Sequence, residues 1–326
     1  MFLSRSGAGA LRQYLKGRSI QAMLSSDALN STTWAPNSVR TVQDQWRSRF
    51  EQEKIPEPTT SITNILAHVL KLACPGDVEK HQKLELSKEQ LTLLADLCEC
   101  RMARMPIQYV IGQWDFGELT LKMAPPVFIP RPETEELVEL ILQQIDTDKE
   151  FRFLEIGCGT GAIALSILSQ VPNSTAIAID QSKLACELTK ENAENLGLTE
   201  RLRIFKHKLV DKIPEAIEIE TFDMIVSNPP YVPSHQLLQL EPEIKVYEDL
   251  RALDGGPDGL KVVKAILKAA AKHLKPKGVL WLEVDSSHPP LIATFLEKEG
   301  SELRLKYISS YKDLFKNERF VEVAKL

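Results

Sequence analysis

Apolar positions at Ile62, Ile65, Leu66, Val69 and Leu70 recur at the three- and four-residue steps of one helix face. Further on, Ser87 followed by Gln90 reads as a capping box opening a helix that buries Leu91, Leu94 and Leu97. With Pro56, Pro58 and Pro75 as punctuation, residues 36–105 are expected to form a small helical domain. The period then changes. Tyr109-Val110-Ile111 and Leu119-Thr120-Leu121 flank Gly112 and Gly117, which predicts a β-hairpin within a connecting segment, 106–130. A helix with Leu137, Leu140 and Ile141 follows, for which Thr134 is the expected N-cap. From 151 onward, strands at 151–156, 176–179, 202–205, 222–227, 279–284, 303–308 and 320–323 alternate with helices from Ala162, at 183–196 and at 260–274. Such alternation implies a doubly wound α/β domain over 131–326, with a mostly parallel seven-stranded sheet. Internal repeats and low-complexity runs are absent.

Composition adds bounds to this outline. The 326 residues suit about two domains. No apolar run reaches membrane-spanning length, so no membrane association is expected. A net charge of −5 argues against a large phosphate-gripping surface and hence against stable nucleic-acid binding. Cys74, Cys98, Cys100, Cys158 and Cys186 show neither zinc nor disulfide-framework spacing, and the six histidines are scattered. A reducing compartment and no metal site are expected, with His68 structural. Residues 1–26 contain no acid; Arg5, Arg12, Lys16 and Arg18 are interspersed with Leu3, Leu11, Tyr14 and Leu15. That profile reads as a mitochondrial transit peptide, which with a Ser/Thr/Asn/Pro-rich linker occupies 1–35 and points to the matrix.

Two constellations carry chemistry. Glu155-Ile156-Gly157-Cys158-Gly159-Thr160-Gly161 follows the first strand of the α/β domain and opens a helix. Its glycines allow a sharp turn and close approach of a ligand, and Asp180 ends the next strand at about the 20-residue spacing of an acid that reads a ribose diol. Gly157, Gly159 and Ala162 also satisfy a dinucleotide fingerprint, so NAD and S-adenosyl-L-methionine both remain open at this point. Glu155 favours the second, because an acid sits better beside an ammonium than beside phosphates. The other constellation is Asn228-Pro229-Pro230-Tyr231, at the end of the apolar run Met224-Ile225-Val226-Ser227. Two prolines supply carbonyl acceptors without N–H donors, Asn adds a carboxamide and Tyr a flat ring. This suits the presentation of a planar NH2 group for attack, or else a rigid turn. Glu241 and Glu243 read as a solvated acidic face.

Four blocks widen the context: 106–112 (Pro-Ile-Gln-Tyr-Val-Ile-Gly), 128–135 (Phe-Ile-Pro-Arg-Pro-Glu-Thr-Glu), 225–233 around the tetrapeptide, and 252–260 (Ala-Leu-Asp-Gly-Gly-Pro-Asp-Gly-Leu). In this order they resemble the HemK/PrmC family over about residues 60–326, and with the basic N-terminus its mitochondrial-type member. The resemblance implies a Rossmann-like class I S-adenosylmethionine-dependent methyltransferase fold with a small helical recognition domain. It implies methylation of the side-chain amide nitrogen (N5) of the glutamine in the Gly-Gly-Gln loop of a mitochondrial peptide chain release factor, with S-adenosylhomocysteine as product. Catalytic roles then fall to Asn228, Pro229 and Tyr231. Cofactor contacts fall to Glu155, Gly157, Cys158, Gly159, Thr160, Gly161, Asp180 and Asn228. Substrate contacts fall to Asn228, Pro229, Pro230, Tyr231, Phe116 and Glu133, with Arg131 beside them. The family's adenine cradle near the third strand is replaced by 206–211 (Lys-His-Lys-Leu-Val-Asp), where no contact is assigned. After the fifth strand Glu283-Val284-Asp285 replaces the more usual Ile-Gly run. The competing readings are a DNA adenine or RNA guanine amino-methyltransferase, and a non-catalytic binding module that keeps the fold.

Overall fold

The structure, a computed structural model, describes residues 35–210 and 212–326. The expected transit segment up to residue 34, and Asp211, lie outside these. The chain divides into two units after Gly112.

The first unit contains α1 (Val39–Gln52), α2 (Pro58–Leu70), a 3-10 segment (Pro75–His81), α3 (Lys88–Met102) and the short α4 (Ile107–Ile111). Ile62, Ile65, Leu66 and Val69 are buried along α2, as their spacing predicts, while Leu70 at its end is half-buried. Ser87 and Gln90 form the capping box of α3, which buries Leu94 and Leu97 but leaves Leu91 half-buried. The buried Arg101 donates to Ser61 Oγ (3.2 Å), Met105 O (3.2 Å) and Pro56 O (3.1 Å), so its charge is solvated by the protein itself. Tyr109-Val110-Ile111, expected as a strand, is a helical turn instead. Val110 N bonds Pro106 O, and Gly112 N bonds Gln108 O with Gly112 in the left-handed region. A short apolar run fits a strand or a buried turn equally well, and here local i→i−4 bonding decides.

The second unit opens with the hairpin β1 (Gln113–Phe116) and β2 (Leu119–Lys122), then α5 (Pro132–Leu142), β3 (Phe151–Ile156), α6 (Ala162–Gln170), β4 (Ser174–Asp180), α7 (Lys183–Asn195), β5 (Leu202–Lys206) and β6 (Phe222–Ser227). It continues with β7 (Val232–Pro233), α8 (Pro242–Tyr247), β8 (Asp254–Gly256), α9 (Lys261–His273), β9 (Leu274–Glu283), α10 (His288–Leu303), β10 (Leu305–Lys312) and β11 (Glu318–Lys325). The hairpin is fastened to α7 by Asn192, whose side chain accepts from Lys122 N (2.8 Å) and donates to Lys122 O (3.2 Å). Thr134 is not the N-cap of α5. Arg131 occupies that position and Pro132 starts the helix, which places Thr134 within the first turn with its hydroxyl available for another use.

The seven strands run in the order β10-β11-β9-β6-β3-β4-β5. β9, β6, β3, β4 and β5 are parallel, and β11 joins β9 and β10 antiparallel. Leu154, Ile177, Ile225, Leu280 and Val321 are buried together with Val263, Ile266 and Leu267 of α9. Helix cover on a parallel sheet accounts for the unbroken apolar runs of its central strands. From β3 the chain builds β4 and β5 on one side and then crosses to β6 on the other. The strand order therefore reverses between β3 and β6, and in sheets of this kind ligands bind beside that reversal at the carboxyl ends.

Candidate active site

Three strand tips meet at the reversal. After β3, Gly157 (φ 81°), Gly159 (φ 56°) and Gly161 (φ 85°) hold left-handed backbone, which side-chain-bearing residues adopt only at a cost. The turn is braced from below: Gly157 N and Cys158 N both bond Ile179 O, and Thr189 Oγ1 donates to Gly159 O (3.1 Å). At the tip of β4, Asp180 accepts from Gly159 N through Oδ2 (3.1 Å) and from Ser182 N through Oδ1 (2.7 Å). Burial pushes the Asp180 carboxyl up, and the two N–H bonds draw it back. Both of its oxygens retain a further lone pair for a ligand.

The cleft at these tips is lined by Gly157, Gly159, Asp180, Asn228, Pro229 and Pro230 from the expected set. It is also lined by Val127, Phe128, Ile156, Ile179, Leu209, Ala252 and Val262, an apolar wall, with Gln181, Ser182, His207, Lys208 and Asp249 at the polar side. Glu155, Cys158, Thr160 and Gly161 are not part of that lining, and neither are Tyr231, Glu133 and Phe116. The Glu155 carboxyl turns the other way and accepts from Ala164 N (3.0 Å) in the first turn of α6, where burial pushes it well above the usual carboxylate range. In this arrangement the carboxylate caps the helix. Cys158 is buried against Thr189 Oγ1 (3.3 Å). Phe116, expected to pack on a substrate, is only 2% exposed, so its ring has no face to offer.

Phe128 and the wall beside it depend on a contact that local sequence does not announce. The Arg131 guanidinium lies 4.7 Å from the Phe128 ring centroid and donates to Glu248 Oε1 (2.6 Å). The buried Glu248 also accepts from Ile129 N (3.2 Å), and Asp249 N bonds Pro126 O (2.8 Å). Residues 126–131 are thereby fixed to 248–249.

The tetrapeptide occupies the tip of β6. Ser227 Oγ donates to Ile156 O (2.5 Å), tying this tip to that of β3. Asn228 Nδ2 donates to Thr134 Oγ1 (3.1 Å), Thr134 Oγ1 donates to Glu283 Oε2 (2.7 Å), and Tyr231 OH donates to Glu283 Oε1 (3.4 Å). Glu283 is buried at the end of β9, and its carboxyl is pushed up to about 7 by burial. Burial also raises the Tyr231 phenol. Glu133 is half-buried on the first turn of α5, where its charge acts on both Tyr231 and Glu283. The 252–260 block lies against the back of the tetrapeptide: Val232 N bonds Leu253 O (2.9 Å), and β7 pairs with β8.

Glu283, Thr134 in its actual role, Phe128 and Glu248 are the members that sequence reasoning missed. Glu283 had one legible sign. Like Asp180, it is a carboxylate ending a buried apolar strand.

Comparison with known proteins adds to this picture. Residues 41–112 match the PrmC N-terminal domain model and residues 118–244 the methyltransferase small domain model. The human MTRF1L release factor glutamine methyltransferase is 38% identical, over 95% of this chain and 98% of its own. A release factor glutamine methyltransferase of Gloeobacter violaceus is 36% identical, over 67% of this chain and 74% of its own. Among solved structures, the human Mettl16 catalytic domain in complex with the MAT2A 3′UTR hairpin 1 superposes with a TM-score of 0.51 at 13% identity, covering 80% of this chain and 90% of that one, which speaks to the fold alone.

Proposed function

The chain belongs to the release factor glutamine methyltransferase family, and from that premise we propose that it methylates the side-chain amide nitrogen, N5, of the glutamine in the Gly-Gly-Gln loop of a mitochondrial peptide chain release factor. It is a methyltransferase that uses S-adenosylmethionine. The reading is carried by one observation: Asn228, Pro229 and Pro230 line the same cleft as the glycine turn and Asp180.

The cleft fits this cofactor better than a dinucleotide. A pyrophosphate sits at the N-terminus of the first helix in dinucleotide folds, but here Ala164 N is taken by the Glu155 carboxyl. Asp180 would hold the ribose diol, the glycine turn the amino-acid part, and the apolar wall around Phe128 and Leu209 the adenine. When bound, S-adenosylmethionine supplies a sulfonium-activated methyl group.

The remaining work falls to the protein. An amide nitrogen is a poor nucleophile because its lone pair is delocalised. Asn228 Oδ1 and the Pro229 carbonyl accept from the substrate NH2, hold the nitrogen in line and stabilise its developing positive charge. Tyr231 packs on the flat amide. The alkylated amide is strongly acidic and releases its proton to water, so no strong base is required. S-adenosylhomocysteine leaves as product. The acid-free, basic residues 1–26 support a mitochondrial matrix address.

Incubation with labelled cofactor and a mitochondrial release factor tests the assignment. Label is expected on the wild-type factor and absent when the loop Gln is changed. Transfer to the changed factor, or to DNA or RNA alone, would replace this reading with another amino-methyltransferase. Asp180→Ala is expected to weaken cofactor binding by about 1.5–3 kcal/mol, roughly ten- to a hundredfold, the usual loss for hydrogen bonds to a charged group. Calorimetric titration measures it, and unchanged affinity removes Asp180 from the ribose site.

A further inference from the structure

We propose that Thr134 and Glu283 are positioning residues that set which end of the Asn228 carboxamide faces the substrate. This rests on the reading of Asn228 as the acceptor for the substrate NH2, and it explains how an amide whose two ends are nearly identical in shape is held one way round.

Hydrogen-bond polarity sets the orientation. An ionised carboxylate only accepts, a hydroxyl has a single proton to donate, and a carboxamide has one donating and one accepting end. Glu283 Oε2 lies 2.7 Å from Thr134 Oγ1, so the one hydroxyl proton is committed to Glu283. The Thr134 oxygen is then left as an acceptor. Asn228, 3.1 Å away, must meet it with Nδ2, which leaves Oδ1 as the end not engaged by Thr134, in a residue that lines the cleft. Tyr231 OH, on the other carboxylate oxygen, also donates and so reinforces the acceptor-only state.

The sheet makes this arrangement rigid. β6 and β9 are parallel neighbours with Ser227 opposite Leu282, so Asn228 and Glu283 emerge side by side from adjacent strands. Thr134 is carried in by α5 and is buried. A protonated or amidated Glu283 breaks the polarity, because it can donate to Thr134 Oγ1. The hydroxyl proton is then released toward Asn228, which turns its NH2 into the cleft and meets the substrate NH2 donor to donor.

The groups facing Glu283 are Thr134 and Glu133 from α5, Tyr231 from the loop after β6, and Arg319 from β11. Arg319 and the two hydroxyls favour the charged form, whereas burial and Glu133 oppose it, and the balance is a carboxyl pushed up to about 7. Above that pH Glu283 is ionised and Asn228 is correctly oriented; as pH falls through it, the active orientation is lost.

The test uses the full chain with Glu283→Gln, Thr134→Val and Thr134→Ser. Glu283→Gln and Thr134→Val are each expected to lower kcat by about a hundredfold, the scale of one lost polar contact to a developing charge, with cofactor affinity nearly unchanged. Thr134→Ser restores the hydroxyl and most of the rate. The wild-type kcat is expected to show an acidic limb with a midpoint near pH 7, and Glu283→Gln to lack it. An independent readout needs no substrate: the Asn228 side-chain NH2 resonance, identified by its loss in Asn228→Ala. It titrates in the wild type and is shifted and pH-independent in Glu283→Gln. Should no release factor be methylated by the wild type, the functional reading fails alone and the resonance still decides the relay. A resonance indifferent to pH and to Glu283→Gln overturns it, as does a wild-type rate in Thr134→Val.

Discussion

An Asn228→Ala variant is expected to lose methyl transfer altogether while binding S-adenosylmethionine within about twofold of the wild type. Losing one preorganised polar contact to a developing charge costs about a hundred- to a thousandfold in rate. In the proposed role of Asn228 the same change also removes what would hold the attacking nitrogen in line, a positional term of similar or larger size. The cofactor's other contacts survive the change, since the glycine turn and Asp180 hold each other through Gly159 N. Methyl incorporation into a release factor and calorimetric cofactor binding, measured on one preparation, separate the two effects. Equal loss of both would make Asn228 a cofactor ligand and remove it from nucleophile presentation.

Gly259→Ala is expected to destabilise the protein by about 2–4 kcal/mol, combining about 1–3 for overpacking with about 1 for a left-handed alanine. Gly259 has φ 74°, and a Cβ built on it would stand 2.4 Å from Tyr231 O and 2.7 Å from His288 Cε1. Gly255 shows the same pressure, with a Cβ 2.8 Å from Tyr231 Cα. At Gly259 the nearest atom is the backbone oxygen of Tyr231, so its strain is relieved by moving the Asn228–Tyr231 tip. Activity therefore falls by more than the folded fraction does. Denaturant unfolding gives the stability term, and the rate per folded molecule gives the displacement. Gly76→Ala is the control, because its Cβ meets nothing closer than Cys74 Sγ at 3.7 Å. A Gly259→Ala protein with wild-type stability and rate would remove the close-packing account.

Local sequence does not announce these contacts. Asp254-Gly255-Gly256 and Asp258-Gly259 stand out as turn chemistry, but nothing local says that Tyr231 packs on them. Phe116 stood out as an aromatic beside an expected hairpin, and burial removes it from the site. Glu155 stood out as an acid at the cofactor turn, and the structure spends it on Ala164 N. In both cases the side chain's direction decided its role, and strand or turn assignment alone does not supply that direction. The 109–111 run is the mirror case: its apolar character was legible, but choosing between a helical turn and a strand depended on which carbonyls its N–H groups met.

By itself the sequence determined the features that local chemistry dictates. These are the α2 face, the capping box of α3, the alternation of strands and helices, a turn that three left-handed glycines allow, and a strand tip rich in acceptors. Each follows from periodicity, from permitted φ or from donor and acceptor inventory within a few residues. Only the tertiary structure decided which of these act together. Thr134 and Glu283 are 149 positions apart and meet because the chain crosses from β5 to β6 and sets β9 beside it, with α5 laid over the ends. Sheet order and register are global properties, fixed by burying the whole apolar surface at once. The orientation of Asn228 belongs to that global arrangement and not to the four letters that carry it.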